Sequence, residues 1–196
     1  MTGLIAKLRY FVPTHTLLTI YRSFIAPYPT YGLVAWDQTR KSSLDKQKRA
    51  LHFIHFSNRN EHAIPLFVDA NIQPLTFSYY ESIAKLMYDV QHGISPKSIQ
   101  ALFEYVSGIH QYNTRSSESY NFYIKHSQLS IHANSFSRIG ANLWNEIPLS
   151  LRSLSKNAFD RKIKKNFTSI LNAKDYYIDD SEIFLKMKSF FAQNST

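Results

Sequence analysis

The sequence predicts a mainly helical protein, in which a bundle of helices is followed by a small α+β tail with a short antiparallel β unit. Apolar residues recur at helical spacing in several segments, and one later segment alternates with the period of a strand. Hydrophobic residues make up 44% of the 196 residues, which is high for a disordered chain. A chain of this length can bury one good core or two small ones.

Two helices are predicted in the first sixty residues. The first covers 14–27, with Thr14 as its N-cap, and Pro27 and Pro29 end it because proline lacks the amide donor. Its buried stripe is expected to consist of Leu17, Leu18, Tyr21, Phe24 and Ile25. The second helix covers 43–56, and one side of it carries Leu44, Gln47, Leu51 and Ile54.

Two more helices complete a predicted helical region over residues 1–108. The first covers 75–92 and ends at Gly93, a natural residue for the left-handed position after a helix. Its buried stripe is Leu75, Tyr79, Ile83, Leu86, Met87 and Val90. The other covers 98–107 before Gly108, and its inward residues are Ile99, Leu102, Phe103 and Val106.

The tail, residues 109–174, mixes strand and helix patterns. Tyr120, Phe122 and Ile124 alternate with more polar neighbours, which predicts a half-buried strand. The stretches 129–131 and 134–139 could pair with it as an antiparallel unit. An amphipathic basic helix is predicted over 159–172, with an apolar side of Phe159, Ile163, Phe167, Ile170 and Leu171. Residues 175–196 are predicted to form an extension with a last helix over 181–191.

Composition excludes several classes of protein. The chain has no cysteine, which excludes disulfides and cysteine-based zinc sites and fits a nuclear or cytoplasmic setting. No run of eighteen apolar residues and no secretory signal is visible, so no membrane partner is expected. The sequence also lacks a glycine-rich phosphate loop and a nucleophile elbow, and it predicts no cofactor and no small-molecule substrate.

Charge is distributed in blocks. Residues 1–60 carry nine Lys/Arg against two Asp/Glu, and residues 111–174 carry ten against three. The intervening residues 61–110 carry two against five, and residues 175–196 carry two against four. Basic blocks of this kind attract a polyanion, because each neutralised phosphate releases condensed counterions. A basic surface kept for solubility is the alternative.

The candidate nucleic-acid-binding residues follow from these blocks. The sharpest cluster is in the helix over 159–172, where Arg161, Lys164 and Lys165 share a face at i, i+3 and i+4. An ordinary solvated face is the alternative. The full set of candidate cations is Lys7, Arg9, Arg22, Lys46, Lys48, Arg49, Arg115, Lys125, Arg138, Arg161, Lys162, Lys164 and Lys165. Candidate stacking residues are Tyr112, with a polar turn as alternative, and Trp144, with a core anchor as alternative.

Short motifs in both halves resemble one family. The first half carries Tyr21-Arg22-Ser23, Gln47-Lys48-Arg49-Ala50-Leu51 and His62-Ala63-Ile64-Pro65-Leu66-Phe67. The second half carries Tyr112-Asn113-Thr114-Arg115, Asn134-Ser135-Phe136-Ser137-Arg138 and Leu143-Trp144-Asn145-Glu146-Ile147-Pro148. In this order they resemble the C-terminal region of reverse transcriptases (RNA-directed DNA polymerases) encoded by non-LTR, LINE-type, jockey-like retrotransposons.

The resemblance implies a thumb-like helical part and a tail that hold RNA, DNA or their hybrid. In the family, the catalytic palm lies upstream of this region, so the resemblance implies a fragment that is not an enzyme by itself. Two alternatives stay open: a stand-alone RNA- or DNA-binding remnant, and a non-functional product of a decayed transposon. The spacing before Gln47 is shorter than usual in the family, which indicates a small deletion.

Two other constellations could carry chemistry. Tyr177-Ile178-Asp179-Asp180 is similar to the Tyr-x-Asp-Asp turn of reverse-transcriptase active sites, but it lacks a third carboxylate from an earlier strand. Capping of the last helix is the expected role of these aspartates. His52, His55 and His62 could bind zinc, but nothing completes a site, so no catalytic residue and no metal site is predicted.

Overall fold

The computed structural model describes residues 2–35, 40–109, 120–126 and 135–172, and this part of the chain is mainly helical, as predicted. The α-helices are α1 Thr2–Leu8, α2 Thr14–Ile20, α3 Pro27–Thr30, α4 Arg40–Ile54, α5 Ala63–Asp69, α6 Leu75–Gln91, α7 Lys97–Gln100, α8 Val106–Ile109, α9 Phe136–Glu146, α10 Leu149–Arg152 and α11 Lys156–Asn172. A π-helical turn, Tyr21–Ile25, joins α2 to α3.

The chain divides into two compact units. The division falls within α6, between Tyr79 and Tyr80, whereas the sequence analysis places its first boundary at residue 108. Helix α6 therefore contributes its first turn to the first unit and the remaining turns to the second.

In the first unit, α4 is the central helix. Helices α1, α2 and α5 all pack on it, and its predicted stripe of Leu44, Gln47, Leu51 and Ile54 is buried, as the sequence analysis expects. The buried Gln47 joins this helix to the start of α6. Its Oε1 accepts a bond from the backbone N–H of Leu75 at 2.8 Å, and its Nε2 donates to the carbonyl of Gln73 at 3.1 Å. The bond to Leu75 satisfies one of the free amides at the start of α6.

The first predicted helix differs from expectation at both ends. Pro13, not Thr14, holds the N-cap position, without a side-chain capping bond. Pro27 does not end the helical path, because it occupies the first position of α3, where its missing amide costs nothing. The preceding π turn, in which the Ala26 amide donates to Tyr21 O at 2.8 Å, accommodates this proline. The wider turn also shifts the helical phase, and Phe24 is exposed instead of buried.

The predicted helix over 98–107 is broken. Helix α7 ends at Gln100, Leu102 faces solvent, and Tyr105 forms an isolated antiparallel bridge with Phe122. The amide of Tyr123 donates to Glu104 O at 2.7 Å and that of Val106 to Asn121 O at 3.0 Å. These long-range bonds take the place of helical ones, which is why local periodicity alone gave the wrong result here.

The predicted β unit is reduced to that one bridge in the described residues. Phe122 is buried, but Tyr120 faces solvent, so the expected alternation does not hold. Residues 129–131 lie outside the described part. The stretch over 135–139, expected to pair as a strand, instead enters helix α9 at Phe136. Helices α1, α3, α5, α9 and α10 are absent from the sequence predictions.

The second unit has an aromatic core. The ring of Trp144 lies 6.4 Å from that of Tyr88 and 5.9 Å from that of Phe159, measured between centroids. Tyr88 donates its hydroxyl to the carbonyl of Leu154 at 2.7 Å, and Trp144 donates Nε1–H to Gln91 Oε1 at 3.0 Å. Buried aromatic rings whose polar atoms are bonded in this way fix a single packing arrangement.

Two polar side chains hold the segment around Phe122. Asn145 Oδ1 accepts from the Phe122 amide at 2.9 Å, and Asn145 Nδ2 donates to the Phe122 carbonyl at 2.8 Å, so this side chain acts as a neighbouring strand would. Arg152 is 6% exposed. Its guanidinium donates to Ile147 O at 2.7 Å, Asn145 O at 3.0 Å and Asn121 Oδ1 at 3.0 Å.

Candidate nucleic-acid interface

Helix α11 presents the strongest basic surface in the described part of the chain. It begins at Lys156, three residues before the predicted start. Of its predicted apolar side chains, Phe159, Ile163, Phe167 and Ile170 are buried, and the side chain of Leu171 lies outside the described part. All four predicted cations of this helix are exposed to solvent: Arg161, Lys162, Lys164 and Lys165. We call these four residues the α11 basic face.

The α11 basic face lies opposite the buried side of its helix. At about 100° per residue, the four cations occupy an arc of roughly 160°, and the buried side chains fill the opposite arc. Exposed Thr168 and Ser169 extend the polar surface by one turn, and their hydroxyls donate to Lys164 O and Lys165 O, both at 3.0 Å. The cationic heads are therefore free of the core and can reach one phosphate backbone.

The first unit carries six of the predicted cations. Lys7, Lys46 and Arg49 are exposed, and Lys48 is half-buried. Arg22 is exposed as a whole but donates Nη2 to the carbonyl of Ala70 at 2.7 Å. Arg9 is half-buried, with its guanidinium carbon 4.3 Å from the centroid of the Phe56 ring. Lys46 and Arg49 lie one helical turn apart on α4, and both are more exposed than Lys48 and Arg9.

The remaining predicted residues are less favourably placed. Lys125 is exposed and forms an ion pair with Glu104 at 3.2 Å. Arg138 is half-buried, and its Nη1 is enclosed without a hydrogen-bond partner. Arg115 and Tyr112 lie outside the described residues.

Trp144 does not offer a stacking surface. Its side chain is 0% exposed, enclosed by the aromatic core, and its one polar atom is bonded to Gln91. The core-anchor alternative therefore describes this residue, and a base cannot reach its ring. Burial of so large a ring stabilises the second unit and leaves no face for a ligand.

No metal site is visible among the residues that the structure describes: no group of three or more His, Asp or Glu side chains converges there. His52 is instead buried, with Nδ1 2.6 Å from the hydroxyl of Ser57. The aspartates Asp179 and Asp180 lie outside the described residues.

Burial of His52 makes stability depend on pH. It lowers the pKa of the imidazole below the ordinary 6.5, with the charge of Glu61 opposing the shift. Below about pH 6.5 the imidazole is protonated more readily in the unfolded chain than in the folded one. The contribution of His52 to the free energy of unfolding is therefore complete above about pH 6.5 and is lost as the pH falls through the lower folded pKa. We expect urea midpoints to fall from pH 7.5 to 5.5, and less so in His52→Gln.

His15→Gln is the matched control, because His15 is exposed on α2 in the same unit. It should keep the pH dependence of the unchanged protein. If His52→Gln and His15→Gln respond to pH in the same way, another group causes the effect.

Sequence reasoning missed two features of the surface and core. The sequence analysis treats Arg152 as one of the basic residues of the tail, although its side chain is buried and donates hydrogen bonds to Ile147, Asn145 and Asn121. Tyr10 and Phe56 drew no attention, although their rings meet at the surface of the first unit. No local signal identifies either feature, because Asn121, which Arg152 bonds, and Phe56, which Tyr10 meets, come from segments distant in the sequence.

The fold and this surface define a mainly helical protein with two compact units and a solvent-facing cationic helix. No protein-family model, no curated protein and no solved structure matches this chain. In the part of the chain that the structure describes, no helix is long and apolar enough to cross a membrane.

Proposed function

We propose that this chain binds RNA or DNA through the α11 basic face, as the C-terminal fragment of a retrotransposon RNA-directed DNA polymerase. The observation that carries the binding proposal is the exposure of four adjacent cations opposite a fully buried apolar side. Arginine can form paired hydrogen bonds with phosphate, and lysine adds mobile point charges, so the set suits a nucleic-acid backbone. The retrotransposon origin rests on the motif resemblance alone.

The binding proposal is tested by the salt dependence of affinity. A fluorescein-labelled 20-mer of oligouridine and a duplex of the same length would be titrated with the full chain at several salt concentrations. We expect log K to fall linearly with log salt, by about 0.7 to 0.9 for each phosphate contacted. Affinity that does not change with salt would contradict this function.

The proposal also holds that the chain does not polymerise DNA by itself. In this view, its helical part, residues 1–108, acts as a thumb-like grip and its small α+β tail adds basic contacts. Primer extension on a poly(rA) template should give no incorporation above a heat-inactivated sample, and measurable incorporation would overturn this part.

A stand-alone binding module is the second candidate. It is supported by two motif residues that stabilise the fold of this chain. The Gln47 side chain accepts a hydrogen bond from the first amide of α6, and the Asn145 side chain accepts one from the amide of Phe122. A non-functional decayed product is the third candidate, and it predicts a chain without a stable core. A cooperative urea transition together with salt-dependent binding excludes that third candidate.

A further inference from the structure

An arginine and two aromatic rings meet at the surface of the first unit. Tyr10 follows helix α1 and Phe56 follows helix α4, and their ring centroids are 6.3 Å apart at an interplanar angle of 77°. The guanidinium carbon of Arg9 lies 4.3 Å from the Phe56 centroid and 5.1 Å from the Tyr10 centroid. We call these three residues the Arg9 cluster.

The rings of the Arg9 cluster face solvent. Tyr10 is 74% exposed and Phe56 is 50% exposed. An exposed ring can stack on a base, because every base has a π-face.

The backbone at Phe56 is in a conformation that disfavours a large side chain. Its φ is 56°, in the left-handed region that glycine or asparagine ordinarily takes at the end of a helix. The amide of Ser57 donates to His52 O at 3.1 Å across this residue and closes helix α4. Glycine would serve that turn better, so the turn itself does not explain an exposed aromatic ring at this position.

The positive charge of the residues around the Arg9 cluster favours an anionic partner. Residues 1–60 carry nine Lys/Arg against two Asp/Glu, and Lys7, two residues before Arg9, is exposed. Arg9 Nε is enclosed without a hydrogen-bond partner, so contact with the rings holds the guanidinium in place. A partner that presents both negative charge and flat apolar faces matches this surface, and a single-stranded nucleic acid has both.

We propose that the Arg9 cluster stacks an unpaired base of RNA or DNA, with the charge of Arg9 attracting the adjacent phosphate. This inference rests on the proposed function, and it adds a preference for single strands that the α11 basic face does not supply. Phosphate contacts alone do not distinguish an unpaired base from a paired one, whereas stacking requires a free base.

The test uses the full chain and a 20-mer single strand with one central 2-aminopurine, made both as RNA and as DNA so that the two can be compared. The variants are Tyr10→Leu, which keeps an apolar side chain but removes the ring, and Phe56→Asn, which removes the ring and suits the left-handed backbone. We expect the double variant to bind single strands about tenfold more weakly. It should lose the fluorescence quenching of 2-aminopurine and keep its affinity for duplex and its salt slope.

Phe24→Leu is the matched control, because Phe24 is a 71% exposed ring elsewhere in the same unit. It should bind and quench like the unchanged protein. An equal loss in this control, or an equal loss for duplex and single strands, would overturn the stacking site.

Failure of this inference is distinguishable from failure of the proposed function. If the unchanged chain binds neither strand nor duplex, both proposals fall. If it binds with a steep salt dependence, but the double variant binds and quenches as well as the unchanged chain, only the stacking site is wrong.

Discussion

Replacing Arg161, Lys164 and Lys165 with glutamine should weaken nucleic-acid binding by about tenfold or more near 0.1 M salt. Each lost phosphate contact removes counterion release, so the slope of log K against log salt should become shallower by about 2 to 3 for the three residues together. The effect should be similar for all sequences, because these contacts read the backbone and not the bases. Fluorescence anisotropy across a salt series measures both quantities.

Folding should not change in this variant. The three side chains are exposed, and glutamine forms helix about as well as lysine and arginine do. Far-UV circular dichroism and the urea midpoint should therefore match those of the unchanged protein. Surface substitutions of this kind usually alter stability by no more than about 0.5 kcal/mol.

The control variant removes the same formal charge elsewhere in the second unit, at Lys85, Lys97 and Lys156. Two of these lysines are in ion pairs, Lys85 with Glu81 at 2.6 Å and Lys156 with Asp89 at 2.6 Å. This variant should lose little affinity. Equal losses in the two triple variants would show that net charge, and not the α11 basic face, attracts the nucleic acid.

Replacing Arg152 with methionine should lower the free energy of unfolding by about 3 kcal/mol. Burial lowers the pKa of Arg152 to about 10, which still leaves it charged at neutral pH. Among its hydrogen bonds to the described residues are those to the carbonyls of Ile147 and Asn145 and to the Asn121 side chain, and its guanidinium carbon lies 5.4 Å from the centroid of the Trp144 ring. Methionine fills much of the volume but leaves those acceptors without a donor.

Arg161→Met is the matched control, since Arg161 is an exposed arginine of the same unit. Its urea midpoint should stay close to that of the unchanged protein. The urea midpoint of Arg152→Lys should lie between those of Arg152→Met and Arg161→Met, because an ammonium group cannot reproduce the planar arrangement of the guanidinium donors. If Arg152→Met unfolds within 1 kcal/mol of the unchanged protein, the buried cluster contributes little to stability.

A double-mutant cycle isolates one bond of this cluster. Asn121→Ala removes the acceptor of Nη1, and combining it with Arg152→Met should give less than the sum of the two losses by about 1 kcal/mol. Additive losses would mean that Asn121 and Arg152 stabilise the unit independently.

The predictions that held rest on strong local periodicity. Helix α6 was expected from an apolar stripe and from Gly93, and the structure has the helix over Leu75–Gln91 with Gly93 at a φ of 69°. Helix α11 and its exposed cations followed from the same kind of pattern. In both helices, the residues that decide burial lie three or four positions apart, so a single sequence contains the information.

The predictions that failed have two causes, a local change of helix type and a distant backbone partner. Pro27 ends a helix by local rules, but a π turn before it lets the path continue and turns Phe24 outward. The segment around Tyr105 has helical spacing, but its backbone bonds to the segment of Phe122. In the second case the alternative backbone partner is distant in the sequence and is not visible in the local pattern.

The sequence by itself determined that this protein is mainly helical, which sides of α4, α6 and α11 are apolar, and that two stretches are strongly basic. These properties depend on residue type and short-range spacing. Only the tertiary structure decided that Trp144 is enclosed, that Arg152 bonds three oxygens and that Tyr10 meets Phe56. The reason is that these side chains meet partners from other segments of the chain, Gln91 for Trp144, Asn121 for Arg152 and Phe56 for Tyr10, and the positions of those partners depend on how the whole core packs.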